Sequence, residues 1–239
     1  MKKKLFLLYG IIAYLALLAA LSSAIGFGGN LVAPEKNSAL PVSSFLKSIT
    51  VNTMLILFAL AQIYVAVKLL GKKRVAIKLP EPLERSSVVL LVSTGVLVAI
   101  WCWQPMGGVV WIVQAGNMKN LVLFLYFLGW SMAVTSTFLV YHFDVFGLRQ
   151  VWYYYTGKPY QSPVFLKPVF IRFARHPLYF GFLVACWSVP VMTVTHLLFS
   201  CACSGYVILV MKNMEYDLVF WVYQQRSYRK QSPMILPLI

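Results

Sequence analysis

Six stretches of this chain, roughly 5–25, 48–70, 86–103, 120–141, 177–190 and 196–211, are almost free of charge. About 20 mostly apolar residues are needed to cross a hydrocarbon core about 30 Å thick. With 60% hydrophobic and 11% charged residues, against about 25% charged in soluble domains, the chain reads as an all-α integral membrane protein. Five to six transmembrane helices are expected, in a single membrane domain spanning 1–239. The last two stretches could form one bent segment, but Pro190 with the polar Thr193, Thr195 and His196 favours a tight hairpin between two short helices. The first follows Met-Lys-Lys-Lys and is longer than the usual signal-peptide core of about 7–15 residues, so it is read as a retained helix.

A net charge of +15 would suggest nucleic acid as partner in a soluble protein. Its distribution says otherwise. Three basic residues lie at the start, six in 68–85, five in 149–175 and four in 212–230, together 18 of the 21. These connections alternate along a six-helix chain, and only Lys36, Lys47 and Lys119 fall on the other side. Because cytoplasmic loops carry the excess of Lys and Arg, both termini are expected in the cytoplasm, with anionic lipid headgroups rather than nucleic acid as the default partner. A multi-pass location in a cell membrane is expected. Cys102, Cys186, Cys201 and Cys203 show no ligand spacing or paired framework and read as small core residues. With three scattered histidines, no metal site is expected.

The polar residues concentrate in the connections of the C-terminal half. In Arg175-His-Pro177, proline suits the first turn of a helix, and a helix N-terminus favours a negative ligand group. His176 would cap such a site, and Arg175 would offer a bidentate fork to a carboxylate or a charge that stabilises a thiolate. The same residues also fit an ordinary juxtamembrane anchor. Asp144, in Tyr141-His-Phe-Asp-Val-Phe-Gly-Leu-Arg149, is one of six acidic residues. It is expected either to pair with Arg149 or a neighbouring basic loop, or to accept hydrogen bonds from a ligand's amino or ribose groups. In Met214-Glu-Tyr-Asp-Leu218, Glu215 and Asp217 are two apart and cannot share a helix face. Trp101, Trp103 and Trp111 fit an interfacial aromatic belt, and Gly181 and Gly205 fit helix contacts.

Several of these segments, with Gly26-Phe-Gly-Gly-Asn-Leu-Val-Ala-Pro34, Leu83-Glu-Arg-Ser86, Ser136 through Trp152, Met192-Thr-Val-Thr-His-Leu-Leu-Phe199 and Pro233-Met-Ile-Leu-Pro237, together resemble the isoprenylcysteine carboxyl methyltransferase-like superfamily. Over nearly the whole chain, the likeness is strongest to its bacterial branch containing methanethiol S-methyltransferase. The resemblance implies S-adenosylmethionine as cofactor, held by a cytoplasmic C-terminal region that includes 212–239, and a small apolar thiol as acceptor, with dimethyl sulfide as product if that thiol is methanethiol. Arg175, His176, Pro177, Tyr179 and Gly181 match the Arg-His-Pro-x-Tyr-x-Gly signature, and Glu215 with Leu218 the Glu-x-x-Leu that follows the last membrane helix. It thereby implies Arg175 and Glu215 as catalytic. His142, Asp144, Arg149, Asp217 and Tyr228 are implied around the cofactor. The chain departs from the family at Gln62-Ile-Tyr64, where Gln-His-Ser is expected, at Met214, where Glu-Glu begins, and at Tyr141, where Asn precedes His-Phe-Asp. Other readings stay open: a related enzyme with a lipid acceptor, a non-catalytic denitrification-associated relative, or an NADPH-dependent membrane reductase.

Overall fold

The computed structural model describes residues 2–30, 43–70, 79–139, 141–161 and 177–221, with side chains up to 66 in the second segment and 211 in the last. Among the described residues five helices are long and apolar enough to span a membrane: α1 (Lys2–Gly28), α2 (Phe45–Leu70), α3 (Glu84–Cys102), α4 (Asn117–Leu139) and α8 (Val194–Trp221). The protein is therefore a multi-pass membrane protein built on helices. Between them lie strand β1 (Val109–Ile112), short helices α5 (His142–Val145) and α6 (Leu148–Thr156), helix α7 (Pro177–Trp187) and strand β2 (Val191–Thr193).

Two compact units form, one from residues 1–108 and 140–163 and the other from 109–139 and 164–239. In the first, α1 packs on α3 and α6, and α2 packs on α3. Association of helices in lipid gains nothing from burying apolar surface, so close approach and polar contacts carry it. Both are present. A Cβ on Gly10 would come within 3.0 Å of the Val151 side chain, and Tyr9 donates a hydrogen bond to Ser87 at 2.9 Å. A Cβ on Gly95 would overlap the Gln62 carboxamide, so the glycine of α3 makes room for the polar side chain of α2, whose Nε2 donates to the Leu91 carbonyl at 3.3 Å. Asn52, fully buried, acts as a surrogate backbone for the chain leaving α3. Its Nδ2 donates to the Gln104 carbonyl at 2.8 Å and its Oδ1 accepts from the Gln104 N–H at 2.9 Å. Trp103 departs from the expected aromatic belt: it is 2% exposed and meets Phe27 edge to face, whereas Trp101 is exposed.

In the second unit, α4 and α7 meet through two small-residue pairs at helical spacing, Gly129 with Ala133 and Gly181 with Ala185. A Cβ on Gly129 would lie 2.6 Å from the Gly181 carbonyl oxygen, and one on Gly181 would lie 2.5 Å from that of Gly129. Gly181 is thus the helix contact expected of it. Gly205 is not, since a Cβ there meets open space among the described residues.

The expected hairpin of two short helices takes a different form. Helix α7 has 11 residues, about 16 Å at 1.5 Å per residue, too short to span the hydrocarbon alone. Helix α8 has 28 and runs unbroken through Met214–Leu218, which the sequence reading placed after the last membrane helix. Between them β2 pairs antiparallel with β1. Backbone carbonyls at a helix end need partners where water is scarce, and side chains supply them. The Cys186 carbonyl accepts from His196 Nε2 and from Ser200 Oγ, each at 3.0 Å. The Val189 carbonyl accepts from Trp111 Nε1 at 3.2 Å, and that of Pro190 from the Val113 N–H at 2.8 Å. The Met192–Phe199 motif therefore has a structural task, holding the turn between α7 and α8.

Because backbone rather than a flexible side chain confronts Gly129, a bulkier residue must push α4 and α7 apart. Overpacking of this kind costs about 1–3 kcal/mol, so Gly129→Val is expected to lower the midpoint of thermal unfolding in detergent by about 5 °C. Gly205→Ala, facing open space, is expected to leave it within about 1 °C.

Candidate functional site

The residues His142, Asp144 and Arg149 occupy one compact feature of the first unit. Tyr141 takes a left-handed conformation (φ 63°) that turns the chain into the single turn of α5, and Gly147 takes another (φ 86°) that turns it into α6. Gly147 is required there for a second reason: a Cβ would lie 2.6 Å from the Ser86 backbone nitrogen. The loop is seated directly on the first turn of α3.

Asp144 is the hub of this seat. It is 6% exposed, and a buried carboxylate left unpaired is strongly destabilising. Arg85, from the first turn of α3, donates from Nη1 to Oδ2 at 2.7 Å and to the Asp144 carbonyl at 2.9 Å. Tyr160 donates its hydroxyl to Oδ1 at 2.6 Å, and Gln150 Nε2 reaches Oδ1 at 3.2 Å and the carbonyl at 3.1 Å. The basic partner expected of Asp144 thus comes from the preceding basic connection and not from Arg149. With three donors on its two oxygens, the carboxylate is occupied by the protein itself.

Arg149 has a different environment. Its Nη2 is 3.4 Å from the Tyr153 hydroxyl, and its guanidinium carbon lies 5.4 Å from the centre of the Tyr153 ring, a cation–π arrangement. The hydrogen bond to Tyr153 raises its pKa from its ordinary value. The one ion pair among the described residues is Arg85–Asp144, which leaves Arg149 as a cation without a carboxylate at ion-pair distance. His142 is buried, its Nε2 2.8 Å from the Tyr14 hydroxyl of α1 and its ring edge-on to Phe143 and Phe146. Burial lowers its pKa below 6.5 and so favours the neutral imidazole.

In the second unit, Pro177 opens α7, and Tyr179 and Gly181 follow on it. Glu215 and Asp217 lie on α8, while their side chains fall outside the described residues. Arg175, His176 and Tyr228 also fall outside them, as does 233–237. Among the described residues no group of three or more His, Cys, Asp and Glu side chains is placed to hold a metal ion. Tyr14, Arg85, Gln150 and Tyr160 were not among the site residues read from the sequence. Arg85 carried a signal, as a charge at the mouth of an apolar run inside Leu83-Glu-Arg-Ser86. Its partner, 59 positions away, could not be read from the chain alone.

The depressed pKa of His142 has a defined sign. A buried neutral imidazole contributes stability above its unfolded pKa near 6.5, and that contribution is lost as pH falls through the folded value. Thermal midpoints in detergent are therefore expected to fall between pH 7.5 and 5.5, and to fall less in His142→Gln, which has no imidazole to charge.

No family model matches the chain, and no solved structure does. Curated proteins do. It is 37% identical over 240 residues to methanethiol S-methyltransferase of Mycobacterium tuberculosis (strain ATCC 25618 / H37Rv), covering 99% of this chain and 98% of that protein. It is 35% identical over 237 residues to the protein of that name from Crocosphaera subtropica, covering 98% and 92%. It is 34% identical over 231 residues to methanethiol S-methyltransferase 1 of Bradyrhizobium diazoefficiens, covering 96% and 81%. The likeness extends over nearly the whole chain, and the chain belongs to the methanethiol S-methyltransferase family.

Proposed function

We propose that this protein transfers a methyl group from S-adenosylmethionine to methanethiol, giving dimethyl sulfide. The observation that carries the reading is full-length similarity to several proteins of that name, at 34–37% identity for the three given above. The chemistry of the described loop fits the cofactor. Arg149, charged and without a carboxylate partner at ion-pair distance among the described residues, suits the amino-acid carboxylate, which a planar guanidinium binds in bidentate fashion. His142 offers a neutral imidazole beside aromatic rings. Asp144, its oxygens already taken, contributes by holding the loop. The resemblance to the family carries His176, Pro177, Tyr179, Gly181, Asp217 and Tyr228 as further cofactor-binding residues, and Gly181 also serves the helix contact.

S-adenosylmethionine, when bound, supplies a methyl group already activated by its sulfonium. The protein has to align the acceptor sulfur in line with that methyl and keep it deprotonated. A free thiol of pKa near 8.5 is mostly protonated at neutral pH. Arg175 stabilises the thiolate, and Glu215 orients Arg175 and takes the thiol proton. With the cofactor bound, its methyl group would pass to the sulfur held by these residues, the product being a thioether and the leaving group S-adenosylhomocysteine. A small apolar thiol partitions into lipid, so a multi-pass protein is a fitting place for its capture. The excess of basic residues in alternate connections supports a reading with both termini and the site on the cytoplasmic side of a bacterial inner membrane.

Purified protein supplied with methanethiol and S-adenosylmethionine is expected to release dimethyl sulfide, measured by gas chromatography. Arg175→Ala and Glu215→Gln are each expected to reduce the rate about 100-fold or more while the thermal midpoint stays near that of the parent. Arg172→Ala, read as a headgroup anchor, is expected to keep most of the activity. Equal rates in the parent and Arg175→Ala would sink the role given to that arginine. Tight binding of NADPH in place of S-adenosylhomocysteine would replace the methyltransferase with a reductase.

A further inference from the structure

The dipeptide Arg85-Ser86 at the start of α3 grips the α5–α6 loop at two points. Arg85 takes the Asp144 carboxylate and carbonyl, and Ser86, fully buried, lies within 3.4 Å of the Gly147 carbonyl and against its Cα. From the second point, the positive-φ turn at Gly147, the backbone leads straight into Arg149. Gln150 and Tyr160 add two more donors from the far side of Arg149. The loop that carries His142 and Arg149 is therefore anchored on both flanks of Arg149 through one carboxylate.

We infer that Arg85 is a positioning residue for methyl transfer, setting through Asp144 the placement of Arg149 and His142 toward the cofactor. The inference rests on the methyltransferase reading above. It predicts a particular kinetic signature. Arg85 contacts the loop and not the reacting atoms, so its loss weakens cofactor capture more than it slows the chemical step. A group that served stability alone would instead reduce the amount of folded enzyme and leave the KM of the remainder unchanged.

The test uses full-length protein in detergent, with initial rates of dimethyl sulfide formation at varied S-adenosylmethionine and the folded fraction measured in parallel. Arg85→Gln is expected to raise the KM for S-adenosylmethionine about 10-fold or more, with kcat per folded molecule within about 3-fold of the parent. Arg85→Lys keeps the charge and one donor and is expected to recover KM to within about 3-fold. Tyr160→Phe, which removes a single hydroxyl, is expected to raise KM by a smaller factor of about 3. If Arg85 acts through Asp144, the double variant Arg85→Gln/Asp144→Asn has a KM no more than about 2-fold above the worse single variant.

An unchanged KM in folded Arg85→Gln, or a loss in kcat alone, overturns the inference while leaving the methyltransferase reading intact. Should Arg85→Gln fail to fold, Tyr160→Phe decides: a KM at the parent value overturns it, and a raised KM supports it. Parent protein that makes no dimethyl sulfide overturns both.

Discussion

Hydrocarbon offers no hydrogen bonds, and every polar group of this chain that lies within it must find a partner inside the protein. Helices meet that demand along their length and fail at their ends. Much of the described polar side-chain chemistry is spent there. Asn52 closes the backbone where the chain leaves α3, Ser48 donates to the Pro105 carbonyl at 3.0 Å, and His196 with Ser200 takes the carbonyl of Cys186 at the end of α7. The two-stranded pairing of β1 with β2 belongs to the same economy, since it gives two extended segments mutual partners.

The same absence of water changes how helices associate. Without a hydrophobic gain between apolar surfaces, contact depends on how closely the backbones approach. Gly129 and Gly181 place α4 and α7 carbonyl against Cα. Gly95 makes room for a carboxamide on the neighbouring helix. An amide inside a spanning helix is costly unless it is paired, and Gln62 shows how the cost is met, by a helical carbonyl exposed at a glycine.

Charge is handled differently at the helix mouths. The Arg85–Asp144 pair has one partner half exposed and the other buried, with side-chain exposures of 42% and 8%. Three donors on one carboxylate turn an otherwise costly group into a fastening for a loop with two left-handed residues. Arg149, five residues further on, is not consumed by this network. The distinction separates a charge that builds the loop from one that has no carboxylate at ion-pair distance among the described residues, and both stand within a single short motif.

The sequence by itself determined that this is a helical membrane protein, where its long apolar segments lie, and which family it resembles, because hydropathy over some 20 residues and the order of motifs are local, one-dimensional properties. It placed the first four spans within a few residues of the observed helices. Only the tertiary structure decided what individual polar residues do. Trp103 looked like a belt residue and is buried on Phe27, Gly205 looked like a contact and meets open space among the described residues, and the last helix, expected to be short, runs for 28 residues. Asp144 was expected to pair with Arg149 or with a basic loop, and folding chose Arg85, 59 positions away. Pairing between distant side chains depends on which helix ends the fold brings together, and no periodicity or spacing along the chain encodes that.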